Sequence, residues 1–338
     1  MRPAAEGSAT KPNDRRVRGD EGRDNLLGVW RRVIGRRAAK ALSFRAFLLL
    51  DALGLHVLPK HFYTPVADRR FLRANPAQWR RRISMEWDLD AQLRWLREIC
   101  STHYAEVAGL GLYTELVAQR FGPGYGPIES QVLHCFVRSQ APGRIVEIGG
   151  GMTTALMKRA AAVNRDEGRP QARITTLEPA PWGPLLELED IELERVACQD
   201  APPELFAELG DGDLLFVDSS HTVKTGSEVP YIFLEIVPRL APGVTVHVHD
   251  ISLPFLYAPL VLSDYFDPQE TTLIAALLRG NEQLEVLCCE SALHHDRPKE
   301  LAEIASDYRP QPMRNGLAQS EGGHFPSSLW LRTRPARA

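Results

Sequence analysis

The stretch RIVEIGGGMTT, from Arg144 to Thr154, decides the fold of this chain. RIVEI is a short apolar run typical of a buried strand, and the residues from Thr153 to Val163 have the pattern of an amphipathic helix. Between them lie three consecutive glycines, which lack a Cβ atom and let the backbone turn sharply against a ligand. The stretch therefore predicts a strand, a glycine turn and a helix, the first unit of an α/β fold.

Short apolar runs of the same kind recur along the rest of the chain and alternate with helical patterns. This alternation is typical of βαβ units around a parallel sheet. The predicted strands are RITTL (173–177), ELERVA (192–197), DLLFV (213–217) and VTVHV (244–248), closed by LEVLCC (284–289) and SLWLRT (328–333). Helices are predicted over 129–139, 229–240 and 271–278.

The N-terminal part has a different texture. Residues 1–25 are polar, rich in charge and without periodicity, which predicts a disordered basic tail. Helical patterns follow over 26–58 and 89–118, so we expect a helical N-terminal extension over 26–120 and the α/β domain over 121–338. The apolar residues between Leu48 and Val57 offer more surface than one short helix can hide, which favours a homodimer contact through the N-terminal helices. Packing on the chain's own domain or on a membrane surface are the alternatives.

Composition excludes several classes of protein. The formal net charge of −3 over 338 residues argues against a nucleic-acid partner. No apolar stretch is long enough for a membrane span, and the start of the chain does not resemble a signal peptide. The five cysteines form no CxxC pair and are expected to be reduced thiols. These features predict a cytoplasmic protein.

The glycine turn also indicates the ligand. A dinucleotide-binding turn reads G-x-G-x-x-G, but after Gly149 and Gly151 the third position is Thr154. Glu147, just ahead of the glycines, would repel a pyrophosphate and would suit the sulfonium and amino groups of S-adenosylmethionine. We therefore expect S-adenosylmethionine here, with a plain tight turn as the alternative.

Two further acidic residues follow predicted strands. Glu178, at the end of the second strand, can accept both ribose hydroxyls of a nucleoside, although this feature is shared with NAD-binding proteins. Asp200, after the third strand, could read an adenine amino group. An equally good interpretation of Asp200 is a helix N-cap ahead of Pro202 and Pro203.

The polar residues after the fourth and fifth strands are the candidates for catalysis. Asp218-Ser219-Ser220-His221 follows the fourth strand, and His247-Val248-His249-Asp250 ends the fifth. In one interpretation Asp218, His249 and Asp250 bind a divalent cation, although Mg²⁺ prefers oxygen ligands. In the other there is no metal, and His221 or His249 takes a proton from the acceptor.

Two other polar groups are weaker candidates. The run His294-His295-Asp296 resembles a loose metal motif, but we expect a surface loop. Arginines at 69, 70, 73, 80, 81 and 82 would suit an acidic acceptor, although a solvated face is the more common explanation for such a group.

The segments EIGGGMTT, LEP, DLLFVDSSHTVK and HVHDISLPF resemble a group of class I S-adenosylmethionine-dependent methyltransferases known as methyltransferase domain 24. The resemblance implies a seven-stranded Rossmann-like sheet of order 3-2-1-4-5-7-6. It places Glu147, Gly149 and Gly151 on the methionine part of the donor, Glu178 on the ribose, and Asp218 and His221 facing the methyl group. HFYTP and FGPGYGPIES are also similar to elements of this group, which implies that Tyr63, Tyr125 and Glu129 lie near the pocket. Some relatives that methylate sugars bind Mg²⁺ with an Asp pair where this sequence has His249 and Asp250.

The sequence thus predicts an S-adenosylmethionine-dependent O-methyltransferase that acts on a hydroxyl or carboxylate of a small molecule. The alternatives are an NAD-linked oxidoreductase on the same doubly wound sheet and a non-catalytic S-adenosylmethionine-binding protein. The predicted catalytic residues are His221, His249 and Asp250. The predicted cofactor-binding residues are Glu147, Gly149, Gly151, Thr153, Glu178, Asp200, Asp218, Ser220 and Tyr125. A metal ligand set is left open, with Mg²⁺ as the candidate ion.

Overall fold

The computed structural model describes residues 36–58, 64–122, 124–262, 268–311 and 323–335. The chain divides into two compact units, Met1–Pro65 and Val66–Ala338. The predicted tail over 1–25, the first part of the predicted N-terminal helix (26–35) and Tyr63 lie outside the described residues. The boundary predicted at residue 120 and the homodimer both stay predictions.

The described part of the first unit is one helix, α1 (Arg36–Asp51), followed by a turn. The helix ends earlier than the predicted Leu58 because Gly54 has a φ of 75° and reverses the chain. The backbone N–H groups of Gly54 and Leu55 donate to the carbonyls of Asp51 and Leu50, at 2.9 and 2.8 Å. Large apolar side chains are exposed after the helix, with Leu53 at 69%.

The second unit is built around a seven-stranded sheet of order β3-β2-β1-β4-β5-β7-β6, as predicted. Strands β1 to β5 run parallel, and β7 pairs antiparallel with both β5 and β6. The strands are β1 (Arg144–Ile148), β2 (Arg173–Leu177), β3 (Glu192–Glu194), β4 (Leu214–Val217), β5 (Thr245–Val248), β6 (Leu284–Cys289) and β7 (Leu329–Thr333). Strand β3 is shorter than its predicted range of 192–197.

Helices cover both faces of this sheet. They are α2 (Arg69–Ala74), α3 (Pro76–Trp79), α4 (Leu89–Cys100), α5 (Gly111–Ala118), α6 (Pro127–Gln140), α7 (Met152–Asp166), α8 (Gly183–Leu186), α9 (Pro203–Ala207), α10 (Glu228–Tyr231), α11 (Glu270–Leu278), α12 (Glu290–Asp296) and α13 (Pro298–Ile304). Single turns of 3₁₀ helix connect several of them.

The alternation of side chains along the strands creates two cores. Ile145 and Phe216 pack toward the α4, α6 and α7 layer. Val146, Leu215 and Val217 pack toward the opposite layer, which contains α10 and α11. Because both faces are covered, the central strands are buried along their whole length, as in other parallel sheets.

Two predicted helices are interrupted. The helical pattern over 89–118 breaks after Cys100, and the left-handed residues Gly109 (φ 80°) and Leu110 (φ 60°) directly precede α5. The pattern over 229–240 continues α10 as a π-helical turn, Ile232–Ile236, and a 3₁₀ turn, Val237–Arg239. Pro238 has no N–H to donate to a regular helical turn, which accounts for the widened turn before it.

The part of the chain that the structure describes contains no helix long and apolar enough to cross a membrane. All five cysteines are buried and free.

Candidate active site

A cavity of ≈ 280 Å³ lies beside the glycine turn, at the carboxyl ends of β1, β2 and β4. We call it the donor cavity. It is lined by Phe121, Gly122, Gly124, Tyr125, Gly149, Gly150, Gly151, Met152, Thr153, Glu178, Trp182 and Asp218. This is the edge at which open α/β sheets bind ligands.

The glycine turn is close-packed against its surroundings. Gly149 has a φ of 84°, and a Cβ atom there would lie 1.9 Å from the carbonyl oxygen of Asp218. A Cβ on Gly151 would lie 2.8 Å from the indole ring of Trp182. These contacts explain why the turn is built of glycine, and they leave backbone as the floor of the donor cavity.

The charges on the cavity wall are acidic. Among the described residues of the lining, Glu178, Asp218 and the phenol of Tyr125 are the ionisable groups. The Glu178 carboxylate accepts from the backbone N–H of Ala180 at 2.8 Å and of Gly150 at 3.3 Å, and it retains acceptor capacity for ribose hydroxyls. Such a wall attracts the cationic donor S-adenosylmethionine and repels the pyrophosphate of a dinucleotide. The residues present therefore fit S-adenosylmethionine.

Glu147 lies beneath the turn and not on the cavity wall. It is fully buried, and its carboxylate accepts from the hydroxyls of Thr153, Thr154 and Thr176. Burial raises its pKa to about 7, although the three hydroxyls act in the opposite direction. The expected contact with the sulfonium does not agree with this placement, because the threonines occupy the carboxylate. Glu147 instead ties the turn to β1 and β2.

The polar residues after β4 and β5 do converge. The Oδ1 atom of Asp218 lies 3.2 Å from Nδ1 of His249 and 3.2 Å from Nε2 of His221. Asp250 approaches both rings at 3.5 Å. The second nitrogen of His221 is held by the buried carboxylate of Glu270, at 2.7 Å. We call Asp218, His221, His249 and Asp250 the polar cluster.

Two members of the polar cluster have unusual backbones. His221 and Asp250 have φ values of 55° and 58°, a region that residues other than glycine seldom adopt and that costs on the order of 1–3 kcal/mol. The carbonyl of His221 accepts from the N–H groups of Gln269 and Glu270, which hold this conformation. Left-handed turns after β4 and β5 thus aim the two side chains back toward each other.

A second cavity, of ≈ 140 Å³, adjoins the polar cluster. We call it the acceptor cavity. It shares Gly124 and Tyr125 with the donor cavity and is also lined by Gly126, Pro127, Ile128, Glu129, His249, Asp250, Gln311, Gly323, His324, Phe325, Pro326 and Ser327. The two cavities therefore meet at the loop that precedes α6.

Glu129, in the first turn of α6, completes the polar wall of the acceptor cavity. Its Oε1 atom lies 3.3 Å from Nε2 of His249. The same oxygen accepts from the backbone N–H of Ser327 at 2.8 Å and from its hydroxyl at 3.0 Å. The upstream helix and the segment before β7 are thereby joined at His249.

Each ring nitrogen of His221 and His249 faces a carboxylate, which decides the protonation of both rings. Burial lowers the pKa of His221, but Asp218, Glu270 and Asp250 outweigh it and raise the pKa well above the usual value. For His249 burial is likewise outweighed by Asp250, Asp218 and Glu129. Without a bound cation, these carboxylates favour the imidazolium form of both rings, which disfavours a general-base role.

His247, two residues before His249, is also buried, but its ring lies among different groups and its pKa is shifted in the opposite direction. It is fully buried, it stacks on Phe216 with ring centroids 4.1 Å apart, and burial lowers its pKa well below the usual value. Its Nε2 atom lies within hydrogen-bond distance of Tyr125 and Ser328, at 3.2 and 2.9 Å. This neutral group fixes the Tyr125 ring between the two cavities.

Several predicted residues do not line the donor cavity. Asp200 is exposed in a 3₁₀ turn, and it is not the N-cap of α9, which is Pro202. Ser220 is exposed, and its backbone N–H donates to Glu228 at 2.7 Å. Their predicted contacts with the donor stay predictions.

The prediction of a surface loop over His294-His295-Asp296 is wrong, because these residues end helix α12. His294 is buried, and its Nδ1 atom lies 2.7 Å from the Tyr308 hydroxyl. Of the arginines proposed for an acidic acceptor, Arg69 and Arg73 donate to the carbonyls of Val261 and Leu262, and none lines either cavity.

Sequence reasoning missed three contributors to the site. Trp182 is an aromatic side chain that is 43% exposed. Its position four residues after Glu178 was the only indication in the sequence that it lies at the site. Glu270 and Ser327 lie in segments without a motif. Their roles depend on tertiary contacts with His221 and Glu129 that no local pattern encodes.

The ligand types in the polar cluster indicate which metal ion it could bind. Asp218, His221 and His249 each offer a ligand atom, and these atoms lie within 4.8 Å of one another. Two of the three are imidazole nitrogens, which Mg²⁺ does not favour and which Mn²⁺, Fe²⁺, Co²⁺ and Zn²⁺ accept. The donor set therefore does not fit Mg²⁺ and does fit a transition-metal dication.

The strand order and the acidic donor cavity define a class I methyltransferase fold with a site for S-adenosylmethionine. Comparison with known families agrees: residues 146–251 match a family described as Methyltransferase domain. Over this segment the chain is similar to that methyltransferase family. No curated protein sequence matches the chain.

Three solved structures with similar folds are distant in sequence. The MycE methyltransferase of the mycinamycin biosynthetic pathway, in complex with Mg and SAH, is 16% identical, with a TM-score of 0.34, over 65% of this chain. The chain spans 54% of the length of that protein. The 1,6-didemethyltoxoflavin-N1-methyltransferase of Burkholderia thailandensis is 14% identical over 75% of this chain and 94% of its own, with a TM-score of 0.34. The CMeT domain of the citrinin polyketide synthase is 14% identical over 87% and 78%, with a TM-score of 0.37.

Proposed function

We propose that the protein is an O-methyltransferase that acts on a hydroxyl group of a small molecule. The observation that carries this proposal is the meeting of the donor and acceptor cavities at Gly124 and Tyr125, with Asp218 and His249 at the junction. A methyl group held in the donor cavity would face an acceptor held in the other. The size of the acceptor cavity, ≈ 140 Å³, suits a small reacting group.

The charge of the acceptor cavity favours a hydroxyl over a carboxylate acceptor. Glu129 and Asp250 both line the cavity. A carboxylate acceptor would lie against these two carboxylates and would be repelled, whereas a hydroxyl could donate a hydrogen bond to either. The arginines that would have suited an acidic acceptor lie elsewhere. A carboxylate acceptor was the other possibility left by the sequence, and a comparison of the two acceptors tests it.

The donor supplies an electrophilic methyl group on a sulfonium, and the chain supplies position and a proton acceptor. As the hydroxyl oxygen gains a bond to carbon, its proton becomes strongly acidic, so a carboxylate is a sufficient base. Glu129 and Asp250 are the carboxylates that reach the acceptor cavity. We propose that one of them takes the proton.

His249 and His221 then act as positioning residues in the protein without a bound cation. Their imidazolium rings hold Glu129, Asp218 and Asp250 in place through contacts of 3.2–3.5 Å. This role replaces that of a histidine base, because the surrounding carboxylates favour the protonated form of both rings. Asp250 keeps its predicted catalytic role in this scheme.

The two cavities supply the orientation that an in-line transfer needs. Holding two reactants in a fixed geometry can contribute about 7–11 kcal/mol to lowering a barrier. Tyr125 lines both cavities, and its hydroxyl lies within hydrogen-bond distance of His247 and Ser328. These contacts hold the ring in place where the donor and the acceptor would meet.

Two measurements test the proposal against its alternatives. Calorimetry with S-adenosylhomocysteine and with NAD identifies the cofactor, and binding of NAD alone would support an oxidoreductase. A screen with methyl-labelled donor over matched alcohols, phenols, carboxylates and amines then identifies the acceptor. We expect transfer to hydroxyl compounds. Transfer only to carboxylates or amines would contradict hydroxyl methylation, and donor binding without any transfer would favour a non-catalytic protein.

A further inference from the structure

In the polar cluster, the ring nitrogens of His221 and His249 face carboxylates in a regular arrangement. A site that only accepts a proton does not require this arrangement. The two nitrogens that face Asp218, Nε2 of His221 and Nδ1 of His249, lie at equal distances of 3.2 Å from the same oxygen. All three ligand atoms lie within 4.8 Å of one another. Ligands about 2.1 Å from a metal are about 3.0–3.4 Å apart in octahedral or tetrahedral coordination, and both distances to Asp218 fall in this range.

The opposite nitrogens of the two rings are each held by a carboxylate. Nδ1 of His221 contacts the buried Glu270 at 2.7 Å, and Nε2 of His249 contacts Glu129 at 3.3 Å. A carboxylate behind a metal-binding histidine is the usual second layer of such a site, where it fixes the ring orientation and increases the basicity of the ligand nitrogen. Both histidines of this cluster have that partner.

From this arrangement we infer that Asp218, His221 and His249 bind a transition-metal dication, with Glu270 and Glu129 orienting the two imidazoles. Two nitrogens and one carboxylate oxygen are the ligands of choice for Mn²⁺, Fe²⁺, Co²⁺ or Zn²⁺, and Mg²⁺ is excluded by its preference for oxygen. Asp250, 3.5 Å from Nε2 of His221, is close enough to take part. The ion would take the place of the protons on Nε2 of His221 and Nδ1 of His249, the two nitrogens that face Asp218.

Location gives this site a role in the proposed reaction. Asp218 lines the donor cavity, and His249 and Asp250 line the acceptor cavity. A dication held at this junction would attract a hydroxyl oxygen toward the methyl group and lower the pKa of the hydroxyl. The inference rests on the proposed function for this role only, because metal binding itself is measured without turnover.

The test uses the full chain, stripped of metal with a chelator and titrated with Co²⁺, Mn²⁺, Zn²⁺ and Mg²⁺. We expect one equivalent of Co²⁺ to bind, with visible absorption bands of a nitrogen-containing site, and the Kd for Zn²⁺ or Mn²⁺ to be at least 100-fold below that for Mg²⁺. No bound transition metal, or a preference for Mg²⁺, would overturn the inference. Methyl transfer without any metal, together with no binding, would leave O-methylation standing and remove the metal alone.

Variants assign the ligands. His249→Ala and Asp218→Asn should each weaken Co²⁺ binding by more than 100-fold and change its spectrum. Glu270→Gln, which preserves shape and contacts no metal, should weaken it 10–100-fold. The matched control is His295→Ala, a histidine in α12 outside the cluster, and it should bind like the wild type. Circular dichroism confirms folding of each variant, and wild-type Co²⁺ binding in a folded Asp218→Asn or His249→Ala protein would refute the assignment.

Discussion

Glu129 in helix α6 lies 3.3 Å from His249 at the tip of β5, and this contact connects a helix outside the matched methyltransferase segment with its central sheet. The helix brings a carboxylate to the acceptor cavity that the βαβ units do not supply. The acceptor side of the site is therefore built partly from residues upstream of β1.

We expect Glu129→Gln to lower kcat by about 100-fold, the usual contribution of a positioned proton acceptor. The affinity for S-adenosylhomocysteine should stay within twofold of the wild type, because Glu129 does not line the donor cavity. Steady-state kinetics with the acceptor found by screening, and calorimetry with the product, measure the two quantities. Glu115→Gln, on the exposed side of α5, is the control; a Glu129→Gln enzyme with wild-type kcat would exclude Glu129 as the proton acceptor.

The glycine turn can be tested with two glycines of the same backbone conformation. Gly149 and Gly168 have φ values of 84° and 78°, but only a Cβ on Gly149 would meet another atom. Gly168→Ala should lower the free energy of unfolding by about 1–2 kcal/mol from strain alone. Gly149→Ala should lower it further and abolish S-adenosylhomocysteine binding. Denaturation and calorimetry measure both quantities. Equal effects of the two substitutions would show that the close packing of Gly149 against Asp218 contributes neither to stability nor to donor binding.

Glu178 tests the ribose side of the donor cavity. Loss of hydrogen bonds to a charged acceptor costs about 1.5–3 kcal/mol, so Glu178→Ala should weaken S-adenosylhomocysteine binding by roughly 10–100-fold. The exposed Glu187 provides the control substitution, Glu187→Ala, which should bind with wild-type affinity. Calorimetry gives both values, and unchanged affinity in Glu178→Ala would remove this residue from the donor site.

The buried carboxyl of Glu147 predicts a particular pH dependence of stability. Its pKa of about 7 in the folded state lies above the ordinary 4.5, so its contribution to stability is complete below about pH 4.5 and is lost as the pH rises through about 7. Over this window wild-type stability should fall by up to about 3 kcal/mol relative to Glu147→Gln, which cannot ionise. Urea denaturation at pH 5 and pH 8 measures the difference, and the exposed Glu235→Gln should follow the wild type. Parallel curves for wild type and Glu147→Gln would contradict the raised pKa.

Arg138 in α6 predicts the energetic difference between buried and exposed ion pairs. It is 1% exposed and contacts Glu106 and Glu167 at 2.8 Å each. Arg138→Ala should lower the free energy of unfolding by about 1.5–3 kcal/mol, because it removes a buried side chain and the hydrogen bonds that this side chain donates to two carboxylates. Arg159→Ala breaks the exposed pair with Glu115 and should cost less than about 1 kcal/mol. Similar losses in both variants would mean that burial does not determine the strength of these pairs.

The sequence predicts the donor half of this molecule better than the acceptor half, for a physical reason. Strands β1, β2, β4 and β5 are apolar runs because both faces of the sheet are buried. Glu178 and Asp218 directly follow two of these strands, so their positions at the edge of the sheet can be predicted. Contacts of Glu129 with Ser327, and of His221 with Glu270, join residues 198 and 49 positions apart. No periodicity carries that information. The resemblance to a family supplied Glu129, but not its partner.

Local errors have equally local causes. The left-handed pair at Gly109 and Leu110 prevents a continuous helix into α5, and a helical pattern of apolar residues does not reveal it. His294 is polar by type, yet its hydrogen bond with Tyr308 allows it to be buried in α12. Glu147 was expected to face the ligand because it is acidic, and the three threonine hydroxyls that hold it come from β2 and α7.

The serine that holds Glu129 comes just before β7, the last strand along the chain and the one inserted between β5 and β6. During synthesis on the ribosome the glycine turn and β1 to β5 emerge well before Ser327. A nascent chain can therefore assemble the donor side while the far edge of β5 still lacks its neighbour and Glu129 still lacks its backbone donor. In a chain that folds during synthesis, the contact of Ser327 with Glu129 can therefore form only after β7 has emerged, later than the donor side.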